Sequence, residues 1–215
     1  MWKAGFRATL MALSAAAACI FLTGCNLTGW GVTSVHPLYG TSDSVVEPAI
    51  LGYWSPADDK TETWKFFLRP DGQSYTAIYR SEGVPAKLIA HLVRLGDQLY
   101  MDTFPEVAQA ESKKSQLNNP VFTLHLVACH VFWRIHVTGD VLKMAPLDRD
   151  HLEKALDDRT VSIAHEVQEP ESDGALPTII LTAPTESLQE FVRTAGDKVF
   201  LAEPEELHRK GLTHH

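Results

Sequence analysis

Ten histidines and three cysteines are the side chains of this 215-residue chain with the widest chemical repertoire. Four of the histidines, His91, His125, His130 and His136, fall in apolar alternating stretches, and Cys129 stands beside His130. Imidazole is both a common metal ligand and a general base near neutrality. The spacing works against a shared site, because His125 and His130 are an odd number of residues apart and face opposite sides of a regular strand unless a bulge intervenes. No C-x₂-C, H-E-x-x-H, EF-hand or phosphate-cradling glycine pattern occurs, and no G-x-S-x-G elbow lies between a strand and a helix. The sequence therefore predicts no metal, no cofactor and no catalytic residue. A histidine-based enzyme site on the stretch 121–137, with Cys129, is kept as an alternative. Cys129 itself reads as a small buried hydrophobe in an apolar strand, since a reactive thiol needs a lowered pKa and a positioned base. His214 and His215 read as a solvated tail.

Cys25 is set apart by what precedes it. Lys3 and Arg7 make a positive start, Ala8 to Phe21 carries no charge, and no acidic residue appears before Glu47. The run is shorter than the roughly 20 apolar residues that cross a bilayer, and it suits the core of a signal peptide. At its end, Leu22-Thr23-Gly24-Cys25 resembles the lipobox of bacterial lipoproteins. That resemblance implies that Leu22, Thr23 and Gly24 are read by a dedicated signal peptidase and that the Cys25 thiol receives a diacylglycerol. One acyl chain binds a membrane marginally, whereas two or three hold durably. The implied location is the bacterial cell envelope, with the exported domain lipid-anchored. Asn26 after the cysteine favours the periplasmic side of the outer membrane in a diderm. The competing readings are an ordinary secretory signal and a short transmembrane anchor.

The chain has a formal net charge of −8. Loss of residues 1–24 removes two basic groups and no acidic one, which leaves a more acidic remainder. Nucleic acid is excluded as a partner on that ground, because phosphate binding calls for a basic surface. Cys19 leaves with the signal and Cys25 is lipidated, so Cys129 has no intramolecular disulfide partner. The expected organisation is a signal peptide over 1–24, a lipidated cysteine and tether over 25–47, and one β-rich domain over 48–215. Fully extended, the tether reaches roughly 70 Å at about 3.3 Å per residue, although its "VHPLY" portion could pack on the domain.

From Pro48 onward the periodicity is that of strands. Trp64, Phe66 and Leu68 alternate with Lys65 and Phe67, "RPDGQ" supplies a reversal, and Tyr75, Ala77 and Tyr79 resume the alternation. "AKLIAHLVRL" has apolar residues on both faces, and "GDQ" turns it into "LYMDTF". After a polar loop near 105–119, Val121 to Val137 reads as one long strand with a bend near Ala128 and Cys129, since common strands have about five or six residues. Asp150 and Glu153 suggest the start of a helix over 150–157. "VSIAHEV" and "TIILTA" suggest strands. Thr185 suggests the cap of a helix that ends at Gly196, and "PEELHRK" suggests a last helical turn or two. The predicted fold is mainly β, an antiparallel barrel or sandwich of about eight or nine strands.

Gly52-Tyr53-Trp54, at the start of the predicted body, resembles the G-x-W signature of lipocalins and related calycin barrels. The resemblance implies a lipocalin-like barrel in which Gly52 and Trp54 belong to a closed end, often with a basic residue from a late strand against the tryptophan. An eight-stranded barrel can be filled by side chains or hold one small ligand. The functional expectation is a non-enzymatic envelope lipoprotein whose β domain binds a small apolar ligand or a protein partner. A structural or assembly role in an envelope complex is the second reading.

Overall fold

The computed structural model describes residues 31–40, 43–58, 61–106, 127–170 and 176–211. Eight strands meander into a closed antiparallel barrel: β3 (Gly52–Pro56), β4 (Thr63–Leu68), β5 (Tyr75–Ser81), β6 (Val84–Leu95), β7 (Gln98–Pro105), β8 (Val131–Thr138), β9 (Val141–Pro146) and β12 (Glu205–Lys210). The last of these pairs with both β9 and β3, which completes the ring. The twelve-residue β6 pairs with β7 along one edge. Its other edge serves β5 and then the short β2 (Ser44–Val45). The expectation of a mainly β, lipocalin-like fold thus resolves to a barrel rather than a sandwich.

Alternation along each strand sends one set of side chains inward. Trp54, Trp64, Phe66, Tyr75, Leu92, Met101, Trp133, Leu142, Met144 and Leu207 are all buried in one interior cluster. Trp64 sits at its centre, with its ring parallel to Phe66 and edge-on to Trp133 at 5.6 Å. The tryptophan N–H groups are accommodated as well, Trp54 Nε1 donating to the Ile50 carbonyl at 2.7 Å and Trp133 Nε1 to Thr103 Oγ1 at 3.0 Å. Eight strands leave a lumen just wide enough for side chains, and here large aromatic rings fill it.

The outer faces of β6 to β9 are apolar too, because a second layer covers them. It comprises a small sheet of β1 (Val32–Ser34), β11 (Thr178–Leu181) and β10 (His165–Gln168), and the helices α1 (Arg149–Asp157) and α2 (Thr185–Val199). Val93, Leu95, Tyr100 and Phe132 from the barrel meet Leu152, Leu188, Phe191, Val192 and Val199 from the helices. This second core is why "AKLIAHLVRL" is apolar on both sides.

Several sequence expectations are corrected. "PEELHRK" is the closing strand β12, because Leu207 fills the barrel interior and Arg209 reaches Trp54. The packed body starts by Gly31 rather than Pro48, since β1 pairs with β11 and Leu38 is fully buried. β8 begins only at Val131; residues 127–129 are unpaired, and 121–126, including His125, lie outside the described residues. Cys129 is partly exposed rather than buried in a strand. The side chain that caps α1 is Asp148, which accepts from the His151 N–H. Helix α2 continues past Gly196 to Val199. A Cβ at Gly196 would lie 3.0 Å from the Tyr100 hydroxyl, so the glycine permits close approach of helix and barrel and is no helix stop.

Candidate functional site

Two polar clusters stand out, one on the barrel wall and one at its end. On the outer faces of β6, β7 and β8, pairing in register brings His91 opposite Asp102 and Asp102 opposite Phe132. Asp102 is 1% exposed. Its Oδ1 lies 2.8 Å from His130 Nδ1, and its Oδ2 accepts the Leu38 N–H at 2.7 Å. The chain from β1 to Leu38 is thereby strapped across the barrel. Ser34 and His130 exchange backbone hydrogen bonds of 2.9 and 2.8 Å. Thr185 Oγ1 donates to the Pro37 carbonyl, and Gln189 Nε2 to the Leu38 carbonyl. Tyr39 then stacks on His91 at 3.8 Å, while Ser44 Oγ approaches His91 Nδ1 at 3.3 Å. Burial, aided by the Asp102 charge, raises the Tyr39 pKa. Burial lowers that of His91, against the opposing pull of Asp102.

A carboxylate that fixes one imidazole nitrogen leaves the other available as a base. Among the described residues no hydroxyl or thiol is hydrogen-bonded to the His130 ring. Ser44 faces His91, not His130, and the Cys129 thiol is turned toward the Val127 carbonyl at 3.7 Å. The arrangement fits a fastening better than a catalytic triad, because Asp102 joins the strap backbone to β8 through His130. His136, also singled out in the sequence, bonds Thr138 near the β8–β9 turn, away from this cluster.

The second cluster closes the barrel end. A 3₁₀ turn, Pro48–Ile50, precedes β3 yet contacts β8 across the barrel, and Ile50 enters the interior. Arg209 stands opposite Trp54 in register, with its guanidinium carbon 4.2 Å from the ring centroid. It donates to the Leu51 and Ala49 carbonyls at 2.6 and 2.7 Å and to Asp140 at 2.9 Å. Gly52 has φ of +120°, and a Cβ there would stand 3.0 Å from Arg209 Nη1. Glycine is required on both counts. Sequence reasoning identified Gly52 and Trp54 but missed Arg209 and Asp102.

Beside this closed end, an open cleft of about 590 Å³ runs over the rim formed by β3, β4 and β12. Leu22, Thr23, Gly24 and Cys25 lie outside the described residues. Among the described residues no three His, Cys, Asp or Glu side chains are grouped closely enough to hold a metal, and no helix is long and apolar enough to cross a membrane. Comparison with protein-family models, with curated proteins and with solved structures gives no match.

Proposed function

We propose that this is a lipid-anchored bacterial envelope protein whose β domain works by binding, through its outer surface, to a protein partner. The observation that carries the binding surface is the filled barrel: with three tryptophans in the lumen, recognition has to use the outside of the wall or its rims. A small apolar ligand remains the competing occupant of such an outer cleft. Among the described residues the histidines are not gathered into one site, since Asp102 joins His130 to the strap, His91 faces Ser44 and His136 bonds Thr138.

The strap bears on the anchor. Cys25 precedes Gly31 by six residues, a covalent reach of at most about 20 Å at roughly 3.3 Å per residue. A lipid on Cys25 would hold the domain close to the bilayer, with the wall that carries β1 nearest the point of attachment. The test is metabolic labelling with palmitate in cells producing the wild type and Cys25→Ala. The expected result is label on the wild type and none on unprocessed Cys25→Ala. Equal labelling of both, or an unlabelled wild type that keeps Met1, would sink the proposal.

A further inference from the structure

The rim cleft has a composition that the barrel does not need. Tyr53 points outward from β3 and is flanked in register by Lys65 of β4 and Lys210 of β12. Lys65 Nζ lies 4.3 Å from the centroid of the Tyr53 ring, and Phe67 meets the same ring edge-on at 6.3 Å. Phe67 and Leu68 are 43% and 45% exposed, so two large apolar side chains share one rim with two cations. Among the described residues neither lysine has a carboxylate partner. Other lysines of the barrel wall do, Lys87 meeting Glu106 and Lys143 meeting Glu206. In a chain of net charge −8 this is a locally basic, apolar patch.

We infer that the rim of β3, β4 and β12 docks an acidic protein segment carrying a large apolar side chain. The apolar group would lie against Phe67, Leu68 and Tyr53, and its neighbouring carboxylates would meet Lys65 and Lys210. An aromatic centre with a charged border is the usual anatomy of a protein interface. Small-molecule sites bury about 70–90% of their ligand, and a cleft this open covers a segment laid along it better than a lone ligand. Its placement agrees. In the ring of strands β4 lies opposite β8, the wall that bears β1, so the cleft faces away from the strap. This rests on the partner-binding reading above but needs no lipid on Cys25.

The test uses the full chain in nanodiscs of zwitterionic phospholipid and a fluorescein-labelled peptide with glutamates flanking a Leu-Phe pair. Anisotropy should report saturable binding that weakens as salt screens the charges. Lys65→Glu with Lys210→Glu should weaken it by about tenfold or more and should create affinity for the same peptide with lysines in place of glutamates. Phe67→Ser should weaken both combinations, with circular dichroism confirming the fold. A photoreactive phenylalanine analogue at Phe67 then reports the occupant in cells. Crosslinks to acidic segments containing Leu, Phe or Trp support the inference. Crosslinks only to lipid or to a second copy of this chain, displacement of the peptide by dodecanoate alone, or binding indifferent to the charge reversal overturn it. Because palmitate labelling at Cys25 is read separately, the anchor and the docking surface can fail independently.

Discussion

Two charged side chains fasten incoming chain to the barrel, and they do so in opposite settings. Arg209, its side chain about one-third exposed, reaches over Trp54 and donates to the carbonyls of Ala49 and Leu51 ahead of β3. Asp102, whose side chain has no exposure, accepts from the Leu38 N–H and from His130. Water can replace part of what the guanidinium provides at the rim. Nothing replaces the carboxylate under the strap. The difference locates the rigid and the vulnerable attachments of this fold, since the penalty for an unmet hydrogen bond depends on whether solvent can enter.

The sharpest way to break the comparison is to remove each charge in turn. Asp102→Ala strands two buried donors, each costing about 1–3 kcal/mol, so the loss of stability should be about 2–6 kcal/mol. Urea unfolding gives the total, and hydrogen exchange locates it. Amides of residues 32–38 should exchange faster while those of β4 and β5 hold. Uniform acceleration across the barrel would show that Asp102 is no local fastening.

Arg209→Ala should cost less, about 1–3 kcal/mol, because the exposed rim lets water satisfy the freed carbonyls. Part of that loss is the cation–π contact with Trp54, worth about 0.5–2 kcal/mol. Arg209→Lys sharpens the point. A lysine keeps the charge but cannot fork to two carbonyls while lying flat on an indole, so it should recover less than half of the loss measured for Arg209→Ala in the same denaturant titration. Full recovery would mean that charge alone secures the barrel end. Losses equal to those of Asp102→Ala would erase the distinction between the two sites.

The unequal legibility of the two fastenings has a physical basis. The closed end was half readable, because Gly52 and Trp54 fall within three residues and their alternation begins a strand. Arg209 was hidden in "PEELHRK", where a proline followed by two glutamates is a good local helix start. Only pairing to β9 on one side and to β3, more than 150 residues earlier, on the other turns that segment into a strand. The strap was less readable still: "VHPLY" could be seen to carry apolar residues able to pack on the domain, but nothing local says that the Leu38 N–H meets a buried carboxylate. One signal did exist: Asp102 in "LYMDTF" is an ionisable residue with apolar neighbours, and such a group inside a strand calls for a buried partner. What that partner would be depended on the β6–β7–β8 register and on a segment beyond any local pattern. Conversely, the apolar character of both faces of β6 is plain in the sequence, but that it serves two separate cores emerges only from the structure.

The smallest expected effect is the one that acidification has on the strap side alone. His91 lies under Tyr39, with Ser44, Asp102, Asp71, His130 and Arg69 as its polar surroundings. Burial favours its neutral form, so the folded protein holds the His91 proton less tightly than the unfolded chain does. Its contribution to stability is therefore complete above the ordinary histidine value of about 6.5 and is lost as pH falls through the lower folded value. Other shifted groups titrate elsewhere: Asp71 is held down to about 2 by bonds from Ser74 and Gln73, and Glu106 is held low by Lys87 and Arg69. His130 is common to wild type and His91→Gln, so subtracting their urea midpoints isolates His91. Between about pH 8 and 7 the two curves should run parallel, and below about 6.5 the wild type should lose stability faster. A variant that tracks the wild type through acid would show that the stacked Tyr39 leaves His91 as well solvated as a free imidazole.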